Sequence, residues 1–387
     1  MHIYLVGGAV RDALLGLPVY DKDYVVVGAL PEQLLQLGYQ QVGKDFPVFL
    51  HPDSKNEYAL ARTERKAGTG YTGFICEFGP NVTLEDDLSR RDLTINAIAQ
   101  QQDGTLIDPY GGQADIAQRT LRHVSDAFIE DPLRVLRVAR FAARFHQLGF
   151  SVAPETHALM QQMADSGELM SLTPERVWKE TEKALACDQP QVFFEVLYHC
   201  HALAALFPEL APLWDTTDTS SEQQISALQA LKYSAQLANT LEKTLTTRVA
   251  CRFAVLCQTL DTDTISALCQ RIKVPSEHKE LALLASRWHA HIHQLGQPGL
   301  AQAEEVLALY QATDAWRRPE RFAQLLLCAH ADAGLAHYPQ GTRLWQWFNE
   351  LKTITAQPFV AQGLKGPAIG EAIFQARLER LKQILKE

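Results

Sequence analysis

The chain reads as an α/β or α+β unit over roughly its first 125 residues and as an all-helical protein thereafter. Three observations carry that reading. Up to about residue 125, Gly, Asp and β-branched residues are frequent, and short apolar runs alternate with turn residues. From "EDPLRVLRVARFAARF" (Glu130 to Phe145) onward, apolar residues recur with a helical period, Ala, Leu and Gln dominate, and Gly is scarce. At 387 residues the chain exceeds one ordinary core, so several domains are expected.

Within the first part, strands are expected at "IYLVG", "DYVVVG", "PVFLH", "EYALAR", "LIDPY" and "TLRHV", and helices at "VRDALLG", "PEQLLQLG" and "DLTINAIAQ". "WDTTDTSSEQQ" (Trp214 to Gln224) reads as a polar linker between helical parts. "LKGPAIGEAIFQARLERLKQILKE" is a Gly/Pro turn leading into a basic amphipathic helix. The start has no basic region before a long apolar core, and no stretch is apolar enough to span a membrane, so a cytoplasmic protein is expected. The seven cysteines form no Cys-x-x-Cys pair, which argues against a disulfide framework or zinc site. A net charge of −9 argues against indiscriminate nucleic-acid binding but leaves room for a local basic groove.

The chemistry begins at "DKDYVVV". The run reads as a strand, on which Asp21 and Asp23 share a face and lie about 6–7 Å apart along the chain. Two like charges so placed repel unless a cation sits between them, and hard divalent cations take carboxylate oxygens. Just upstream, Gly7-Gly8-x-x-Arg11-Asp12 joins a strand to a helix. The Gly pair is either a tight turn or a place where backbone N–H groups approach phosphate, with Arg11 one turn on. Beside a carboxylate pair, the phosphate reading fits two-metal phosphoryl transfer.

"EDDLSRRDLTINAIA" (Glu85 to Ala99) places Arg90, Arg91 and Asp92 at an expected helix start, with Asn96 one turn later. Arg91 can reach a triphosphate, and Asp92 with Asn96 can bond ribose hydroxyls; alternatively Asp92 is an N-cap. In the third motif, Asp131-Pro132 opens a helix that carries Arg134, Arg137, Arg140 and Arg144 at spacings of three, three and four. They fall within an arc of roughly 120°, while Leu136, Val138, Ala139, Ala142 and Phe145 take the other side. An arginine stripe with no acid among it points to an anionic ligand.

Taken in order, "GGAVRD", "DKD", "RRDLTINA", "DPYGG" and "EDPLRVLRVARF" resemble the bacterial CCA-adding enzymes, class II tRNA nucleotidyltransferases of the polymerase-β-like superfamily. "ARTERKAGTGYTGF", "LTPERVWKE" and "TDAWRRPERF" extend the likeness over nearly the whole chain, most densely over residues 1–185. The resemblance implies an α+β fold: a polymerase-β-like nucleotidyltransferase head with a mixed sheet over 1–125, a helical neck with the base-recognition helix over 126–213, and a helical, tRNA-binding body and tail over 214–387. It implies stepwise addition of C, C and A to the tRNA 3′ end from CTP and ATP, by two-metal nucleotidyl transfer with release of pyrophosphate and no nucleic-acid template. Asp21 and Asp23 would be the catalytic Mg²⁺ ligands. Gly8 and Arg11 would contact the phosphates, and Arg91 with Asp92 the triphosphate and ribose. Asp131 and Arg134 would read the Watson–Crick edge of the incoming base, supported by Arg137 and Arg140. "DPYGG" would be a hinge between head and neck, and residues 62–84 a flexible loop needed for the final A. Glu57 is a possible third carboxylate. The partners implied are tRNA, CTP and ATP, with no membrane and no protein partner.

One departure stands out. Several relatives carry an HD phosphohydrolase domain, and here "RFAVLCQTLDTD" has Gln258-Thr259 where its His-Asp pair would stand. The chain therefore resembles a variant without a functional HD domain, its helices kept as an RNA-binding scaffold. His289 and His293 are spaced for one helix face but lack the further ligands of a zinc-protease motif. Alternatives left open are a CC-adding or A-adding enzyme, a poly(A) polymerase, an antibiotic-modifying nucleotidyltransferase and an inactive tRNA-binding protein.

Overall fold

A valine run with no polar alternation has to be covered on both faces, and in the computed structural model it is. The structure describes residues 1–42, 48–66, 74–214, 226–241, 244–295, 297 and 302–386. In chain order the first part comprises β1 (His2–Val6), α1 (Gly8–Leu14), β2 (Asp23–Val27), α2 (Pro31–Gln36), β3 (Gln40–Val42), β4 (Val48–Leu50), β5 (Glu57–Leu60), β6 (Arg62–Lys66), β7 (Phe74–Phe78), α3 (Leu84–Ser89), β8 (Ala99–Gln100), β9 (Leu106–Ile107), α4 (Gly112–Gln118) and β10 (Thr120–Leu121). A mixed seven-stranded sheet runs in the order β3-β4-β5-β2-β1-β8-β9. Its β2–β5 pair is parallel and the others are antiparallel. Val25 packs on one face with Val6, Leu84, Leu88 and Ala97, and Val26 on the other with Leu34, Phe49 and Leu60. The alternation of one strand thus feeds two cores.

Two expectations need correction. "DLTINAIAQ" is not a helix: Thr94–Asn96 form one 3₁₀ turn and the chain then runs into β8. Ile95, Ala97, Ile98 and Ala99 are all fully buried, so the segment has no solvent face of the kind an amphipathic helix needs. The Thr94 N–H is instead bonded to the Arg122 carbonyl at 2.9 Å. The stretch 62–84 contains a ladder, with β6 and β7 pairing antiparallel from Arg62↔Phe78 to Lys66↔Phe74. Of the rest of the expected loop, residues 67–73 lie outside the described residues, and residues 79–84 turn through the Val82 N–H to Gly79 carbonyl bond at 3.1 Å into the Thr83 cap and first residue of α3.

Beyond β10 the regular structure among the described residues is helical apart from β11 (Ser151–Val152), which pairs with β10. The helices α5 (Leu133–Phe145), α6 (Pro154–Asp165), α7 (Pro174–Leu185), α8 (Gln191–His199) and α9 (Ala202–Leu206) come first. Then follow α10 (Ala227–Leu241), α11 (Leu245–Cys257), α12 (Thr262–Arg271), α13 (Ser276–Leu295), α14 (Ala303–Ala312), α15 (Pro319–Ala333), α16 (Pro339–Lys352), α17 (Gln357–Ala361) and α18 (Pro367–Ile384). The chain divides into two compact units, Met1–Ala184 with Val192–Leu206, and Leu185–Gln191 with Phe207–Glu387. Of the expected polar linker, residues 215–225 lie outside the described residues.

In the second unit α11, α13 and α15 pack on one another around Val249, Phe253, Leu281 and Leu325. An aromatic cluster of Tyr310, Trp316, Phe322, Trp345 and Phe348 fills a neighbouring part. The basic face of α18 is largely committed within this unit. The Arg377 guanidinium lies 3.6 Å over the Trp316 ring and donates to the carbonyls of Leu351, in the last turn of α16, and Ile354, just beyond it. Arg380 pairs with Glu350, and Lys382 with Glu304 at 2.8 Å. Among the described residues no helix is long and apolar enough to cross a membrane.

Candidate active site

The site is assembled in the first unit where β1, α3 and α5 converge. β1 ends at Val6, and Gly7 turns the chain with φ +69° and ψ −130°, a conformation that disfavours any side chain. A Cβ there would also lie 2.9 Å from Arg91 Nη1, so Gly7 is needed for close approach as well as for backbone shape. Gly8 opens α1. Arg11, only 3% exposed, gives Nε and Nη2 to Asp12 Oδ1 at 2.8 and 2.7 Å and Nη1 to Asn96 Oδ1 at 2.5 Å. Its guanidinium also rests over the rings of Phe141 and Phe145. The second Asp12 oxygen accepts Arg144 Nη2 at 2.9 Å.

Asp23 opens β2, opposite Val6 on β1 and in register with Glu57 on β5. Asp21 precedes the strand, so the expectation that strand alternation aligns the two aspartates fails. They are nevertheless electrostatic neighbours. Partial burial pushes the Asp23 carboxyl above its usual range, Arg91 pulls it down, and the like charge of Asp21 pushes it up again. Asp23 lines the central cavity, whereas Asp21 and Glu57 do not. Among the described residues no three His, Cys, Asp or Glu side chains converge as a ready-made metal ligand set.

Arg90 and Arg91 follow the end of α3 rather than starting a helix, with Arg90 as its C-cap. Arg91 gives Nη2 to Asp87 at 3.1 Å and Nη1 to the Asn96 carbonyl at 3.3 Å. Asp92 is buried and fully used. One oxygen accepts the Leu93 N–H at 2.9 Å and Asn96 Nδ2 at 2.8 Å, and the other takes Arg137 Nε and Nη2, each at 2.7 Å. Burial works against ionisation of this carboxyl, but the Arg137 charge and these hydrogen bonds outweigh it and hold it well below the usual carboxylate range. In this state Asp92 positions Asn96 and Arg137 rather than presenting free oxygens. The Gly112 Cα packs so tightly on the same turn that a Cβ would lie 2.3 Å from the Thr94 carbonyl oxygen.

The arginine stripe of α5 faces the cavity and its own supports. Arg134, almost buried, donates to the carbonyls of Ala127 and Arg90 at 2.7 and 2.5 Å. Arg140 pairs with buried Glu180 at 2.5 Å and lies 4.3 Å over the Phe141 ring. Asp131 accepts the Leu133 N–H at 3.1 Å, so it caps α5, and Arg176 binds the same carboxylate at 3.0 and 3.2 Å. Arg176 and Glu180 escaped the sequence reading as site residues. Their signal was present: an i,i+4 pair of opposite sign in "LTPERVWKE" places one group on Asp131 and the other on Arg140. Arg62, Phe141 and Asp87 were missed too, because only the fold brings them to the cavity or its wall, whereas Arg144, the last of the expected stripe, does line it.

The result is a cavity of about 640 Å³ whose fifteen lining residues include eight arginines and three aspartates, together with Gly7, Gly8 and Asn96. In a chain of net charge −9 this is a strong local excess of positive charge, suited to a polyanion with several phosphate groups. The histidines of the second unit make no comparable site. His289 bonds the Ala285 carbonyl, and His293 lies between Asp332 at 2.9 Å and Tyr338 at 2.8 Å. Gln258, at the end of α11, donates to the other Asp332 oxygen at 2.7 Å.

Comparison with known proteins agrees with this architecture. Residues 3–122 match the family described as poly A polymerase head domain, and residues 149–213 match a probable RNA and SrmB-binding site of polymerase A. The chain is 47% identical to the multifunctional CCA protein of Haemophilus ducreyi, covering 99% of both chains. The chain belongs to the CCA protein family. Solved structures share its fold at lower identity. The Thermotoga maritima CCA-adding enzyme complexed with tRNA has TM-score 0.68 at 20% identity, covering all of this chain and 90% of that one. A CCA-adding enzyme in complex with ATP has TM-score 0.71 at 20% identity, covering 98% and 86%. A CTP complex gives 0.69 at 20% identity over 98% and 87%.

Proposed function

We propose that this member of the CCA protein family adds C, C and A to the 3′ end of tRNA from CTP and ATP, in the cytoplasm. The observation that carries the reading is the cavity in which eight arginines face the Gly7–Gly8 turn and Asp23. It offers charge for a triphosphate, a close backbone approach, and a carboxylate where the metal chemistry belongs. The 47% identity to a named CCA protein over the full chain supports the same activity.

In this reading Asp21 and Asp23 hold Mg²⁺. The donor set fits: Mg²⁺ takes one or two carboxylates and completes its shell with water and substrate phosphates, so no third protein ligand is required. The raised Asp23 carboxyl beside Asp21 is the electrostatic state that a cation relieves. Bound there, the metal would stabilise the attacking 3′ oxygen and the leaving pyrophosphate. The chain's own residues do the rest. Gly8, Arg11 and Arg91 receive the phosphates, and Asp92, tied to Asn96 and Arg137, orders the ribose side. Asp131 and Arg134 present an acceptor and a donor fork to the base edge. Both have protein partners in this structure, Arg176 and the carbonyls of Ala127 and Arg90, which the base would replace in part. Such a site selects strongly because a mismatched edge leaves buried polar groups unpaired. Arg137 and Arg140 hold α5 in place through Asp92 and Glu180.

The test is extension of tRNA transcripts ending before the first C, before the second C and before the final A, each with CTP or ATP and Mg²⁺. Correct single additions on all three are expected. Addition on only some ends would narrow the activity to CC or A addition, untemplated long tails would point to poly(A) synthesis, and no incorporation would overturn the proposal.

A further inference from the structure

Asp87 is fully buried in α3, outside the cavity lining. Its Oδ1 accepts Arg90 Nη2 at 2.7 Å and Arg90 Nε at 3.2 Å, and lies 3.4 Å from the Arg62 N–H. Its Oδ2 accepts Arg91 Nη2 at 3.1 Å. The three residues that it touches, Arg62, Arg90 and Arg91, all line the cavity. Arg90 Nε also donates to the Arg62 carbonyl at 3.1 Å, where β6 begins. One carboxylate therefore sits behind two adjacent guanidiniums and the root of the β6–β7 ladder. Left alone, Arg90 and Arg91 would repel each other and sample several rotamers; a shared buried carboxylate holds them in one arrangement. Part of Arg91 remains uncommitted, since its buried Nε has no hydrogen-bond partner among the described residues. The Asp87 carboxyl itself is held below its usual range, burial opposing ionisation and the charges of Arg90 and Arg91 prevailing, so it carries its charge at neutral pH.

We propose that Asp87 is a positioning residue for the triphosphate: it orients Arg90 and Arg91 toward the nucleotide phosphates while touching neither substrate nor metal. This rests on the nucleotide reading of the cavity. Asn at position 87 keeps the shape and one acceptor oxygen but loses the charge, so the arginines lose their common anchor while the base and ribose contacts stay in place. The effect should therefore scale with the phosphates present.

The experiment compares wild type with Asp87→Asn in equilibrium binding of CTP, ATP, pyrophosphate and CMP, and in steady-state extension of tRNA. Expected are about tenfold weaker binding of CTP, ATP and pyrophosphate, the size of a lost charge-assisted contact, with CMP binding and KM for tRNA within about twofold of wild type on the same argument. KM for both nucleotides should rise more than kcat falls. Equal weakening of CMP, or a parallel rise in KM for tRNA, would make Asp87 a general structural residue and overturn the proposal; unchanged CTP and pyrophosphate binding would overturn it too. If Asp87→Asn alone does not fold, the double variant Asp87→Asn/Arg90→Gln is compared with Arg90→Gln alone, so that the loss of Arg90 cancels and a further triphosphate-selective loss reports the anchoring of Arg91; no further loss would overturn the proposal. Wild-type protein that binds neither CTP nor ATP would defeat the nucleotide reading itself, a result distinct from failure of the Asp87 assignment.

Discussion

Replacing Arg137 by Met should destabilise the first unit chiefly by stranding Asp92. Asp92 is 6% exposed, and of its four hydrogen bonds two come from Arg137 at 2.7 Å. Removing one partner of a buried ion pair costs about 3–5 kcal/mol. The Arg137 side chain is 35% exposed, and the Leu93 N–H and Asn96 contacts survive, so water reaches the freed oxygen. About 2–3 kcal/mol is then the expected loss at pH 7.5. For a unit of this size that is a fall of about 4–12 °C in its melting temperature. The sign of the pH dependence follows from Asp92. In the wild type its carboxyl is depressed, so its stabilisation is complete above the unfolded carboxyl value and is lost as pH falls through the depressed folded value. Without Arg137 the dominant remaining influence is burial, which raises the carboxyl instead. The penalty is then greatest at neutral pH and shrinks on acidification, as Asp92 takes up a proton. Calorimetry at pH 7.5 and pH 5 should therefore show a smaller difference between variant and wild type at the lower pH. The double variant Asp92→Asn/Arg137→Met should recover more than half of the loss. A loss independent of pH, or a double variant no better than the single one, would refute the assignment of the energy to the Asp92–Arg137 pair.

Three further outcomes are expected. Asp23→Ala should abolish nucleotide addition while leaving a folded protein; because the Asp23 carboxyl is raised, it lowers metal-free stability as pH rises through its titration, so the variant should melt at the same or a slightly higher temperature at pH 8 without metal. Wild-type turnover by Asp23→Ala would refute its metal role. Asp131→Ala should blur selection among CTP, ATP, UTP and GTP, whereas Arg11→Ala should weaken all four alike; single-nucleotide incorporation measures both, and uniform slowing by Asp131→Ala would return that residue to its capping role on Leu133. On the sequence reading that Gln258-Thr259 replace a His-Asp pair, and with Gln258 bonded to Asp332, the protein should not hydrolyse phosphomonoesters or 2′,3′-cyclic phosphates with Mg²⁺, Mn²⁺ or Ni²⁺; hydrolysis that survives Asp21→Ala would mean a second metal site.

The contacts of α18 bear on how its basic residues should be tested for RNA binding. Arg377, Arg380 and Lys382 are bound to Trp316, Glu350 and Glu304 within their own unit. Removing the chain after Gln362 would therefore take away packing along with charge. Lys365 and Lys386, which form no ion pair among the described residues, are the better positions at which to probe a basic track for RNA.

What the sequence determined by itself is what depends on local order. The valine run identified β2, because a strand covered on both faces needs no polar alternation. Gly7-Gly8 and Arg11 were legible because a strand-to-helix turn needs particular residue types at fixed spacing. The α5 stripe was legible because helical periodicity puts residues three and four apart on one face. The tertiary structure decided everything that depends on residues distant in the chain. It turned "DLTINAIAQ" from an apparent helix into a buried turn and strand, since burial on all sides erases the amphipathic signal that distinguishes a helix. It placed Asp21 before rather than within β2, so its closeness to Asp23 comes from the turn and not from strand alternation. It also assigned partners: Asp92 to Arg137, Asp131 to Arg176, Arg140 to Glu180 and Asp87 to two arginines. A charge in a sequence shows only that a counter-charge or water must be found. Which one is found depends on desolvation and distance, and those exist only once the chain has folded.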